Sequence, residues 1–182
     1  MKIDEIIEYI KKYEGMKYTK YDKNSNVMTP MEPFWVSNTA PPPFQEVCSK
    51  GSTCVGLINI VRRHLGLTVP GLNENYECPG GTESWYKYLD SNNRLELLDL
   101  TKSYPLGTLL VQDFNERDQG HVAVIISDNT KPNVMESTII HNICGTWDNK
   151  TYASTVIEKL GDYPYYSRFT HVCYPENWLI KN

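Results

Sequence analysis

Apolar positions Ile3, Ile6, Ile7 and Ile10 recur at helical spacing, which predicts a first helix from Ile3 to Tyr13 that Gly15 can end. A second helix is expected from about Thr53 to Leu65, capped by Ser52 and ended by Gly66. On it Cys54, Ile58, Val61 and Leu65 form one apolar stripe, and Arg62 and Arg63 fall away from it. A short helix is expected over Glu83 to Leu89. Between Tyr18 and Lys50, Thr29-Pro30, Glu32-Pro33 and Pro41-Pro42-Pro43 exclude regular helix or central strand. Beyond Pro105-Leu106-Gly107 the pattern turns to strands: Thr108 to Val111, His121 to Ser127, Val134 to Ile140, Thr151 to Ile157 and Arg168 to Tyr174. The run HVAVIIS is apolar on both faces, as in a central strand. Helices first and a strand meander second predict an α+β fold, with N-terminal helices packed on an antiparallel sheet. No internal repeat or low-complexity tract interrupts it.

Length and composition narrow the picture. The 182 residues, 40% of them hydrophobic, suit a single domain over 1–182. A net charge of −4 without a Lys/Arg-rich run speaks against nucleic acid as the main partner. The charged N-terminus lacks a signal-peptide core, and no run of about 18 apolar residues occurs, so no membrane span is expected. A chain of this kind is expected to be cytoplasmic or packaged in a particle. The cysteines, Cys48, Cys54, Cys78, Cys144 and Cys173, are odd in number and lack a C-x-x-C, which argues against a disulfide framework and a zinc site. His141 and Cys144 stand three apart, but no second pair accompanies them, so no metal or other cofactor is expected. The aromatics of the Pro-rich segment, Phe34, Trp35 and Phe44, either cover the core or wall a cleft; the second reading makes Trp35 a substrate-binding candidate.

Cys54 has two readings: a core thiol that begins a helix, or a nucleophile. A helix start favours the second, because free N–H groups and the dipole stabilise a thiolate and a developing oxyanion. The thiolate is then expected well below the ordinary cysteine pKa, and Gly56 leaves room for close approach. A nucleophilic cysteine needs a base within hydrogen-bond reach. His64 lies too far along the same helix, whereas His121 opens the strongest strand and shares a face with Ala123, whose small side chain would let a helix lie close. A histidine at a strand start also has a purely structural reading. If Asp128-Asn129 is a hairpin tip, His121 faces Glu136 in an otherwise apolar strand, where a carboxylate would fix its tautomer. Glu136 can equally be an edge-strand charge, and a register shift puts Thr138 or His141 in its place.

The order Glu14-Gly15-Met16-Lys17-Tyr18, Cys54-Val55-Gly56-Leu57-Ile58, Pro105-Leu106-Gly107-Thr108-Leu109, Gly120-His121-Val122-Ala123-Val124, then a strand with Glu136, resembles the NlpC/P60 and CHAP group of papain-like cysteine peptidases and amidases. The resemblance covers most of residues 1 to 140. It implies Cys54 as nucleophile, His121 as base, Glu136 as orienting residue, and Tyr18 near the thiol. An acidic third residue is more like CHAP; in NlpC/P60 a histidine is usual. The chain has Thr53-Cys54-Val55-Gly56 where the family commonly has Asp-Cys-Ser-Gly, and Gly107-Thr108 where Gly-Asp is usual, as in a divergent member.

The function expected from this is a cysteine hydrolase cutting a peptide or amide bond, with peptidoglycan peptide as one substrate class. Acyl transfer on the same residues is one alternative. A catalytically silent binding or virion-structural module is the other.

Overall fold

The computed structural model describes residues 2–19, 43–71, 81–112, 120–127, 130–147 and 149–179. Helices α1 (Ile3–Lys11), α2 (Phe44–Lys50), α3 (Cys54–His64) and α4 (Thr82–Ser91) precede strands β1 (Glu96–Leu97), β2 (Leu109–Gln112), β3 (His121–Ile125), β4 (Thr138–Trp147), β5 (Lys150–Lys159) and β6 (Phe169–Cys173). A short α5 (Pro175–Trp178) follows. The strands form one six-stranded sheet in the order β1-β6-β2-β3-β4-β5, with antiparallel neighbours throughout. The expected α+β class is therefore the observed one.

The central strands β2 and β3 are buried on both faces. Ile6, Ile7 and Ile10 of α1, Leu57 and Ile58 of α3, and Trp85 of α4 pack on Leu109, Val111, Val122, Val124 and Ile140. The opposite face carries Leu110, Ala123, Ile125, Ile139 and Ile143, and is closed by Tyr152, Leu160, Tyr163 and Phe169. This explains why β3 is apolar on both faces. It also corrects one expectation: Ala123 packs in the second core and does not make room for a helix.

Helix α3 is the central one, and its residues Cys54 to Arg63 are all buried. Arg62, expected off the apolar stripe, is fully buried. Its Nε donates to the Thr68 carbonyl at 2.6 Å, Nη1 donates to the Trp178 carbonyl, and its guanidinium lies 5.5 Å from the Trp85 ring centre. The helix is capped by Thr53, not Ser52: Thr53 Oγ1 accepts from the Gly56 N–H at 3.1 Å. At Gly56 a Cβ would meet Ser52 Oγ at 2.0 Å, so a side chain there would have to displace the buried Ser52 hydroxyl. Phe44–Lys50 is helical although it follows the Pro-rich run; Pro43 at its N-cap can start a helix it could not continue through.

Three features position the site. The β3–β4 register differs from expectation: Val124 faces Ile140 and Ile125 faces Ile139, and no further pair joins these strands. Val134–Glu136 is a 3₁₀ turn, not strand, so β4 starts later. Beyond Ile140, β4 pairs with β5 alone, and β3 and β4 splay apart. The start of α3 enters this splay, with Asn142 Nδ2 of β4 donating to the Ser52 carbonyl at 2.8 Å. The β4–β5 hairpin also curls. Lys150 and Glu158 would stand roughly 26 Å apart in a straight strand, yet Lys150 Nζ lies 2.5 Å from Glu158 Oε2. Gly145, at φ 144°, takes a backbone conformation on β4 that a side chain would resist.

Candidate active site

Cys54 occupies the first turn of α3 and is buried, 8% exposed. The N–H groups of Cys54 and Val55 and that of Val122, the residue after His121, face its sulfur. The thiol is thus delivered from the helical layer to the start of β3. No hydrogen bond joins it to the His121 ring. Its side-chain partner is Thr82 Oγ1, at 3.8 Å, from the start of α4. Gly120, at φ 75°, holds this corner: a Cβ there would meet Thr82 Cγ2 at 2.8 Å and the Gln112 carbonyl at 2.9 Å.

His121 Nε2 lies 2.9 Å from His141 Nδ1, and His141 Nε2 lies 2.9 Å from Glu158 Oε1. Among the described residues His121 Nδ1 has no hydrogen-bond partner. His121 is 8% exposed and His141 fully buried. The rings are walled by aromatics: Tyr163 sits 4.9 Å from His141, and Phe169 5.8 Å from His121, centre to centre. Glu158 Oε2 also accepts from Tyr152 Oη, at 3.0 Å.

The electrostatics follow from burial. Burial pushes the Cys54 thiol up, against the lowering effect of Thr82 and the three N–H groups. Burial pushes His121 well below the ordinary histidine value, with His141 adding to it. His141 is lowered by burial too, against the pull of Glu158. Burial opposes ionisation of Glu158, but hydrogen bonds from His141 and Lys150 outweigh it and hold the carboxyl below its usual value. The resting pair is therefore a neutral thiol and a neutral imidazole. The expected low-pKa thiolate is not what this burial favours.

Glu136 is not beside His121. It lies in the 3₁₀ turn, half-exposed, paired with Lys159 at 3.0 Å. Thr138 opens β4 at the Lys159 register, and its N–H donates to Ser127 Oγ. The side chain on the His121 ring is His141, with Glu158 behind it. Sequence reasoning gave Glu158 no role; the only local signal was a carboxylate on the same strand face as Tyr152 and Val156. Tyr18 is brought to the thiol: it bridges Ser52, and burial together with Cys54 and Cys144 raises its phenol pKa. Trp35 lies outside the described residues, as does Cys78; the four described cysteines are free. His141 and Cys144 point to opposite faces of β4, and the described residues hold no cluster of three metal-ligating side chains.

The candidate site is thus a buried helix-start thiol that meets the Val122 N–H of β3, on the strand whose first residue, His121, belongs to a buried histidine pair. No family model matches the sequence, and no curated protein matches it. A solved Staphylococcus aureus structure, described as similar to lipoprotein, NLP/P60 family, is similar to this chain at 15% identity and a TM-score of 0.48. The match covers 99% of this chain and 42% of that one, so this chain spans less than half of that protein's length. Among the described residues no helix is long and apolar enough to cross a membrane.

Proposed function

We propose that the protein is a cysteine hydrolase of peptide or amide bonds, with Cys54 as nucleophile, His121 as base and His141 as the residue that orients His121. One observation carries this reading: the α3 start presents the Cys54 thiol to the beginning of β3, where the buried His121–His141 pair begins. The order of sequence motifs shared with NlpC/P60 proteins supports it, and points to cell-wall peptide as the substrate class to try first.

In the reaction, His121 Nδ1 takes the thiol proton as sulfur attacks the carbonyl carbon. The carbonyl electron pair moves onto oxygen, where the Cys54 N–H can stabilise it. Collapse of this intermediate breaks the C–N bond, and the leaving amine takes the proton from His121. Water, deprotonated by His121, then cleaves the thioester, releasing the acid and restoring the thiol. Tyr18 is suited to position the substrate beside the thiol. Neutral partners make His121 a general base during attack, without a standing ion pair.

The test is incubation of the full chain with muropeptides and a peptide library, followed by mass spectrometry. New amine and acid termini from the wild type, and none from Cys54→Ala or His121→Ala, are expected. Cleavage that survives Cys54→Ala would overturn the reading. An added amine that diverts the product to a new amide would show acyl transfer.

A further inference from the structure

The proton on a histidine pair can run in either direction, and only one is useful for catalysis. If His141 donates from Nδ1 to His121 Nε2, His121 must carry its own proton on Nδ1, and no base faces the thiol. If His121 donates from Nε2 to His141 Nδ1, Nδ1 of His121 is free. Something beyond His141 must choose between these directions.

We propose that Glu158 is a positioning residue that sets this direction for the whole chain, leaving the proton vacancy at Nδ1 of His121. The role in catalysis rests on the hydrolase reading above; the proton direction does not. The argument runs from the far end. Glu158 Oε2 meets two donors, Lys150 Nζ at 2.5 Å and Tyr152 Oη at 3.0 Å. A carboxylate held by an ammonium and a phenol has no proton to give, so Oε1 can only accept. His141 Nε2 must then be the donor across its 2.9 Å contact. With His141 neutral and fully buried, its Nδ1 is an acceptor, and the 2.9 Å contact requires the proton to come from His121 Nε2. The groups packed on the two rings, Tyr163 and Phe169, leave the direction to Glu158. The curl of β4–β5 makes this possible, since it folds Lys150 and Tyr152 back onto a residue six to eight places along their own strand.

Glu158→Gln provides a sharp test. Lys150 and Tyr152 both donate, so they retain the amide oxygen and turn the NH₂ group towards His141. Both rings then switch tautomer without turning, and His121 carries its proton on Nδ1. Long-range ¹⁵N–¹H spectra of histidine-labelled full chain report the tautomers directly. The wild type should show Nε2–H on both His121 and His141, and Glu158→Gln should show Nδ1–H on both. Turnover should fall roughly 10²- to 10⁴-fold, as when a triad's orienting carboxylate becomes an amide. Adding Lys150→Met to Glu158→Gln should let the amide turn back, restoring the Nε2–H signals and part of the activity. Nδ1–H on either wild-type ring overturns the proposal even if Glu158→Gln fails to fold. So does a folded Glu158→Gln with unchanged tautomers and turnover within about twofold of wild type. If the wild type proves to cut no amide while the tautomers behave as stated, the proton direction stands and the hydrolase reading falls.

Discussion

His121 Nε2 and His141 Nδ1 face each other at 2.9 Å across the splay between β3 and β4. Two strands that have stopped pairing still share this buried polar contact, and it occupies Nε2 of His121 rather than Nδ1. Glu136 makes no such contact; it pairs with Lys159 on the surface. His141→Ala should therefore reduce turnover by at least about 10²-fold, while Glu136→Gln leaves it within about twofold of wild type. Glu136→Gln should also cost no more than about 0.5 kcal/mol, because the pair is half-exposed. Steady-state kinetics and urea titration of both variants check this. A strong Glu136→Gln defect with a silent His141→Ala would reverse the assignment.

The pH profile should carry the mark of buried histidines. Burial holds both His121 and His141 below the ordinary value, so His121 stays a free base at pH values where an exposed histidine, with a pKa of about 6.5, would be charged. The acid limb of kcat/KM should fall below that value. The sign for stability follows. The unfolded chain binds protons at these rings that the folded chain refuses, so their neutral burial costs stability as pH falls below about 6.5. Thermal midpoints at pH 5 and pH 7.5 should show the protein less stable at pH 5. An acid limb above 6.5 would contradict the buried, neutral pair.

Thr82 is the side chain that opposes the effect of burial on Cys54. Thr82→Val keeps the shape and removes the hydroxyl. It should move thiolate formation to still higher pH and slow alkylation of Cys54, whereas Thr82→Ser should restore both. Thiolate absorbance of each variant, minus its Cys54→Ala counterpart, reads the shift. Equal titration of the valine and serine forms would mean that the 3.8 Å contact has no energetic role.

Arg62 predicts a stability effect with no direct part in chemistry. It joins α3 to the loop at Thr68 and to Trp178 of α5, and its Nη2 has no partner. Arg62→Ala should cost about 3 kcal/mol, since it leaves two carbonyls bare and empties a space against Trp85. Arg62→Met should recover part of this through stem packing alone. Denaturant midpoints of the two variants provide the measurement. No loss in Arg62→Ala would show that water replaces the guanidinium without cost.

The one-dimensional pattern carried most of the architecture. Isoleucines at helical spacing built α1, the β-branched run from His121 built β3, and helices preceding strands specified an α+β layer order; each is a local propensity that survived packing. Cys54 at a helix start and His121 at a strand start were legible for the same reason. The side chain that meets the His121 ring was not. The choice among Glu136, Thr138 and His141 depended on the β3–β4 register. That register is set by where the 3₁₀ turn at Val134–Glu136 ends and by which residues of β4 the second core buries, both long-range effects. Glu158 was further out of reach: it meets His141 only through a diagonal β4–β5 contact, and meets Lys150 only because the hairpin curls. The sign of the Cys54 shift was missed likewise. A helix start lowers a thiol pKa wherever it occurs, but α3 begins inside the protein, and desolvation there outweighs the dipole. The sequence by itself determined which elements form and where Cys54 and His121 enter them. Tertiary structure decided which polar groups meet and how dry they are, because both depend on segments far apart in the chain closing on one another.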